Sequence, residues 1–79
     1  MFYVYILNST VEKDRMYVGY TNDLEGRLKE HNSGKSAHTK KHVPWRLMTY
    51  IAFDDCKKAY AFEKYLKSGS GRSFAKRHF

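Results

Sequence analysis

The stretch Met16–Gly34, MYVGYTNDLEGRLKEHNSG, opens as a strand and turns into a helix. Its first residues are rich in aromatic and β-branched types, which favour strands. Thr21, Asn22 or Asp23 then supplies a helix cap, and Gly34 is the residue type expected just past a helix end. Laid out at about 100° per residue, Leu24 and Leu28 form the apolar stripe of this helix, with Glu25, Gly26, Lys29 and Glu30 on the far side. Arg27 and His31 stack one turn apart along the edge of that stripe. An arginine can pack its stem at such a rim and send its head to water. An arginine and a histidine together on the inner edge ask for a chemical reason.

Working outward, FYVYILN and RMYVGY are two strands separated by the polar STVEKD, which reads as a hairpin. The basic KSAHTKKHV reads as a loop closed by Pro44, and WRLMTYIAF as a third strand. Asp54 is the expected cap of a second helix, DCKKAYAFEKYLK, ended by SGSG. RSFAKRHF reads as a short terminal helix capped by Ser70. The order is β-β-α-β-α-α, a small α/β fold continuous over residues 1–79 and expected to be a single domain.

A chain of 79 residues holds one modest core and has no room for a large enclosed pocket, so its function belongs on a surface or in a shallow cleft. The formal net charge is +7, from 15 Lys and Arg against 8 Asp and Glu. That balance favours an anionic partner, nucleic acid first, and argues against a metal-buffer role. Cys56 is the single cysteine, which excludes an internal disulfide and a zinc site built from several thiolates. It is expected to be buried on the apolar stripe of the second helix. MFYVYIL is too short for a membrane span and lacks the basic flank of a signal peptide, so a cytoplasmic location is expected.

In the second helix the apolar arc runs through Cys56, Ala59, Tyr60, Phe62 and Leu66, and Glu63 falls inside it. A carboxylate in a buried stripe is costly unless it is paired or binds a metal. An ion pair between Glu63 and Arg27 that fixes helix packing is the structural explanation. On the strands, Tyr3, Tyr5 and Leu7 share one face, as do Tyr17 and Gly19. A suitable hairpin register brings Tyr5 beside Tyr17, with Gly19 leaving room. Two tyrosines, an arginine, a histidine and a lone glutamate thus face the interior.

YVYIL near the N-terminus, YVG at residues 17–19, an arginine eight residues after Gly19 and a glutamate on a later helix resemble the GIY-YIG nuclease superfamily. The likeness covers essentially the whole chain. It is greatest to the small stand-alone bacterial members, which are similar to the N-terminal nuclease domain of excinuclease C; FEKYLKSGSGRSF looks like that branch. The resemblance implies a three-stranded antiparallel sheet flanked by two to three helices. It also implies a one-metal phosphodiesterase site in which Tyr5, Tyr17, Arg27, His31 and Glu63 match the catalytic positions. Tyr3 stands where the first tripeptide usually has glycine, and Tyr20 where the excinuclease domain has lysine. The asparagine that several members carry after the glutamate helix has no counterpart in RSFAKRHF.

These residue types suit phosphodiester hydrolysis, which places negative charge on the attacking, non-bridging and leaving oxygens. Glu63 would hold Mg2+ or Mn2+, an ion that keeps several waters and needs only one or two carboxylates. Arg27 offers a planar fork to phosphate. The base that takes a proton from the attacking water is Tyr17 or His31; an unperturbed tyrosine, with a pKa of about 10, would need help from its neighbours. Lys35, Lys40, Lys41, Arg72, Lys76 and Arg77 are the expected nucleic-acid contacts, touching phosphates without reading sequence. The expected function is a metal-dependent DNA endonuclease, selective for branched or damaged DNA in repair or recombination. The alternative is a nucleic-acid-binding module of weak or no activity that needs a protein partner to complete it.

Overall fold

The computed structural model describes residues 1–79. It contains β1 (Phe2–Ser9), β2 (Met16–Thr21), α1 (Leu24–Asn32), a single 3-10 turn at Lys40–His42, β3 (Trp45–Phe53), α2 (Cys56–Lys67) and α3 (Gly69–His78). The three strands form one antiparallel sheet in the order β2-β1-β3. The fold is therefore α+β, with the expected order β-β-α-β-α-α.

The central position of β1 explains its sequence. Val4, Tyr5, Ile6 and Leu7 are consecutive buried residues, because a strand covered on both faces has no solvent side to fill with polar groups. Val4 and Ile6 pack with Ala59, Leu66 and Ala75, so α2 and α3 cover one face of the sheet. Tyr5 and Leu7 pack with Trp45, Tyr17, Leu24 and Leu28, so α1 covers the other. A register shift between Ile6 and Leu7 against β3 places Ile6 opposite Thr49 and Leu7 opposite Leu47.

Three connections hold the second face together. The Asn32 side chain at the end of α1 brackets Trp45, donating to its carbonyl (2.9 Å) and accepting from its amide. Ser9 Oγ donates to the His42 carbonyl at 2.7 Å, and the Thr10 amide to that of Pro44 at 2.9 Å. Gly34 follows α1 with φ of 80°, the left-handed conformation that L side chains rarely adopt.

Of the three candidate caps for α1, Asp23 is the one used; its carboxylate accepts from the Gly26 amide at 3.1 Å. Other expectations are corrected. Asp55 rather than Asp54 caps α2, accepting from the Lys57 amide at 2.8 Å. SGSG does not end the helical region: Ser68 caps α3, which begins at Gly69, ahead of the expected Ser70 start. Gly71 is buried there, and a Cβ on it would overlap the Tyr65 carbonyl, so its missing side chain is what lets α3 fold back against the end of α2. The basic loop contains the 3-10 turn. Cys56 is exposed, not buried, and Tyr60 keeps 52% of its surface in water. The stripe of α2 meets the sheet only from Ala59 onward, leaving the first turn beyond it.

Candidate active site

Tyr5 organises the site. It lies opposite Gly19 in the β1–β2 register, and a Cβ at Gly19 would overlap the hydroxyl and ring of Tyr5. The phenol therefore crosses β2 through the gap that glycine leaves. Tyr17 pairs with Leu7 instead of standing beside Tyr5, so the two tyrosines meet diagonally, with ring centroids 6.4 Å apart.

The Tyr5 hydroxyl and His31 Nε2 are 2.9 Å apart, and His31 Nδ1 lies 2.9 Å from Thr39 Oγ1. Tyr5 is 1% exposed; His31 and Thr39 are fully buried. Trp45 Nε1 donates to the Thr39 carbonyl at 2.9 Å, which anchors the basic loop beneath the site. The Tyr17 ring lies 4.8 Å from that of His31 and 6.4 Å from that of Trp45. Of the buried polar side chains, the histidine of MYVGYTNDLEGRLKEHNSG is thus the centre of a chain of hydrogen bonds.

Arg27, one turn earlier on α1, donates to Glu30 at 2.9 Å through Nη1. Its Nε is buried and has no hydrogen-bond partner. The guanidinium stands beside the Tyr5 phenol, and that neighbour strengthens the hold of Arg27 on its proton. Burial pushes the Tyr5 phenol above its ordinary value, with Arg27 pulling in the opposite direction. Burial, reinforced by the charge of Arg27, holds His31 below the usual histidine range. At neutral pH the group is a neutral phenol and a neutral imidazole beside a fixed cation.

Glu63 makes no hydrogen bond or ion pair with this cluster. Its side chain is 14% exposed, and Oε2 accepts from Lys67 Nζ at 3.0 Å. The expected pair with Arg27 is not formed: the two residues belong to helices on opposite faces of the sheet, and each has found a partner within its own helix. The negative charge of Glu63 nonetheless reaches Tyr5, adding to the upward push on its phenol. No group of three or more His, Cys, Asp or Glu side chains comes together anywhere in the chain. The donor set suits magnesium, which takes one carboxylate and completes its shell with water and substrate phosphate, and does not suit a metal needing an all-protein cage.

The six cationic residues expected to contact nucleic acid fall in two groups. Lys35, Lys40 and Lys41 are exposed on the loop anchored by Thr39; Arg72, Lys76 and Arg77 are exposed on α3. Arg72 and Lys76 also line an open groove of about 880 Å³, together with Lys13, Arg15 and Lys67, over a floor that includes Ile6, Val18, Leu66 and Ala75. Sequence reasoning missed Lys67 and Thr39. The spacing of Glu63 and Lys67 at i and i+4 was a usable signal for the first; a threonine in a lysine-rich loop carries none.

The GIY-YIG catalytic domain matches residues 1–77. The chain belongs to the GIY-YIG family. GIY-YIG relatives include the UPF0213 protein YsiG of Lactococcus lactis, 40% identical over 67 residues; the match covers 84% of this chain, which spans only 62% of that protein's length. The streptococcal UPF0213 protein SpyM3_1077 of Streptococcus pyogenes is 40% identical over 72 residues, covering 90% of this chain and 76% of that one. The solution structure of the UPF0213 protein BH0048 from Bacillus halodurans has the same fold, with a TM-score of 0.57 at 36% identity over 96% of this chain and 81% of that one. The GIY-YIG fold is a nuclease-type fold, one that implies nucleic-acid binding, and GIY-YIG nucleases are generally dependent on a divalent metal. In this member the tripeptides that name the family read Tyr3-Val4-Tyr5 and Tyr17-Val18-Gly19. No helix is long and apolar enough to cross a membrane.

Proposed function

We propose that residues 1–79 form one nuclease domain that hydrolyses DNA phosphodiester bonds with Mg2+ or Mn2+. The observation that carries this reading is Arg27: a guanidinium held charged beside Tyr5, with a buried Nε that has no partner in the protein. A buried donor without an acceptor is costly, and the planar fork of arginine matches a phosphate. A scissile phosphate is the acceptor that fits the accessible end of this guanidinium, whose side chain keeps 39% of its surface in water.

The chain's own residues divide the work. Arg27 binds the phosphate and stabilises charge on its non-bridging oxygens. Tyr17, half-buried at the margin of the cluster, orients the attacking water. His31 is fully enclosed with both nitrogens engaged, so it handles the proton of that water through the Tyr5 oxygen and not by direct contact. Glu63 would hold the metal ion, which would supply Lewis-acid stabilisation of developing negative charge when bound; Lys67 keeps the carboxylate in place and its charge balanced beforehand. Lys35, Lys40, Lys41, Arg72, Lys76 and Arg77 hold the phosphate backbone by charge. Selectivity then rests on the shape of the DNA, which fits a role on branched or damaged DNA in repair or recombination, like that of the excinuclease C nuclease domain, in the cytoplasm.

A second reading is favoured by the ion pair of Glu63 with Lys67: a nucleic-acid-binding module in which the carboxylate is a packing element and a protein partner supplies turnover. Supercoiled, flapped and branched DNAs separate the two when incubated with Mg2+ or Mn2+, with EDTA, and with folded Glu63→Gln and Arg27→Ala variants. The nuclease reading expects metal-dependent cleavage that both variants lose. Binding without cleavage by the wild type refutes it in favour of the module.

A further inference from the structure

We propose that Thr39 is a positioning residue: its hydroxyl oxygen accepts from His31 Nδ1–H and so keeps the ring in the tautomer whose Nε2 lone pair faces Tyr5. The assignment follows from the donors and acceptors around one oxygen. A tyrosine hydroxyl at neutral pH carries its proton, and burial of Tyr5 reinforces this. The Tyr5 hydroxyl is buried with the Arg27 guanidinium as a neighbour, and the one acceptor in hydrogen-bond reach of it is His31 Nε2 at 2.9 Å. A guanidinium donates and never accepts. The phenolic proton of Tyr5 therefore points at Nε2, which must be the unprotonated nitrogen. In a neutral imidazole the remaining proton is then on Nδ1, and the group facing it at 2.9 Å is Thr39 Oγ1.

The groups that face His31 are Tyr5 from β1, Tyr17 from β2, Arg27 and Glu30 from its own helix, and Thr39 from the loop that follows it. Among them Thr39 alone meets Nδ1. It is fully buried, and its carbonyl is fixed by the indole of Trp45, so the oxygen cannot drift. A proton passing from Tyr5 to His31 breaks one O–H bond and forms one N–H bond with no further reactant. The Nδ1–H bond to Thr39 persists through the transfer. The arrangement has the logic of a base oriented by a third group, with a hydroxyl as the orienting group. The same loop presents Lys35, Lys40 and Lys41 outward, so the segment that meets the nucleic acid also sets the proton chemistry beneath it.

The catalytic consequence rests on the nuclease reading; the tautomer does not. Long-range proton–nitrogen NMR on 15N-histidine protein at about pH 8, where histidine is neutral, reads the tautomer without any substrate. The expected wild-type result is Nδ1 protonated and Nε2 bare. Thr39→Val, nearly the same shape without the acceptor, is expected to lose that pure Nδ1–H state, and Thr39→Ser to keep it. In cleavage assays Thr39→Val is expected to lower kcat by about 10- to 100-fold, the range seen for groups that orient a histidine from behind, at unchanged DNA affinity, with Thr39→Ser restoring the rate. A wild-type spectrum with Nε2 protonated overturns the proposal, as does a Thr39→Val spectrum like the parent's. Absence of wild-type cleavage alongside the expected spectra refutes the nuclease reading and leaves the tautomer assignment standing.

Discussion

Replacing Gly19 with alanine tests whether the Tyr5 phenol depends on the gap in β2. The added Cβ would overlap the hydroxyl and the adjoining ring carbon, and would lie 2.8 Å from Cε1. Tyr5 has nowhere to go, being 1% exposed and hydrogen-bonded to His31. Forcing a methyl into such a core costs about 1–3 kcal/mol. If the phenol yields, the buried Nε2 of His31 loses its partner at a further cost of about 1–3 kcal/mol. The sum, about 2–6 kcal/mol, is a large part of the roughly 5–15 kcal/mol that stabilises a typical domain. Urea denaturation of Gly19→Ala in the wild-type and Tyr5→Leu backgrounds measures it. With leucine at position 5 no ring lies over Gly19, so the second substitution should cost less than about 0.5 kcal/mol and the cycle should show a coupling of at least about 1 kcal/mol. An alanine variant within about 0.5 kcal/mol of its parent refutes the reasoning. So does an equal cost in both backgrounds.

The neutral, buried His31 makes stability depend on pH. Its folded pKa lies below the ordinary value near 6.5, so the unfolded chain binds the extra proton first as pH falls. Its contribution is complete above about pH 6.5 and is lost below it, with a slope of at most about 1.4 kcal/mol per pH unit, until the folded pKa is passed. Denaturation at stepped pH should show this slope and should lose it in His31→Gln; an unchanged slope assigns the effect to other groups. Asp55→Ala should cost about 0.5–2 kcal/mol through loss of the α2 cap, while Asp54→Ala should stay within about 0.5 kcal/mol. Equal costs would mean that the cap is shared.

The fold was legible because its signals are local and agree with one another. The unbroken apolar run of β1 marks a covered strand, and Pro44 bounds β3 at its start. Elsewhere, geometry decides between chemically equal choices. Asp54 and Asp55 are the same residue type, and only the backbone settles which carboxylate meets the Lys57 amide. Gly71 looks like turn punctuation until α3 is seen against Tyr65. The cluster of Tyr5, Tyr17, Arg27 and His31 was readable because charge on an inner helix edge needs a reason. The partner of Glu63 was not, because a distant arginine and a lysine one turn away are both chemically adequate and the nearer one suffices. Thr39 was invisible, since nothing local distinguishes a threonine that meets a histidine from one that faces water.

Two clusters share the sheet, and their freedom to diverge differs. Val4, Ile6, Ala59, Leu66 and Ala75 form an ordinary apolar layer, in which volume-conserving exchanges cost little. On the opposite face, Tyr5 is both a member of the core and the centre of the candidate site. A substitution that packed this layer better would remove the hydroxyl and imidazole that hydrogen-bond there, and one that altered either would leave a buried polar atom unpaired. Descendants of this chain should therefore accumulate neutral drift beneath α2 and α3 and stay nearly frozen beneath α1, so the rate of change itself would map which side of the sheet carries the work.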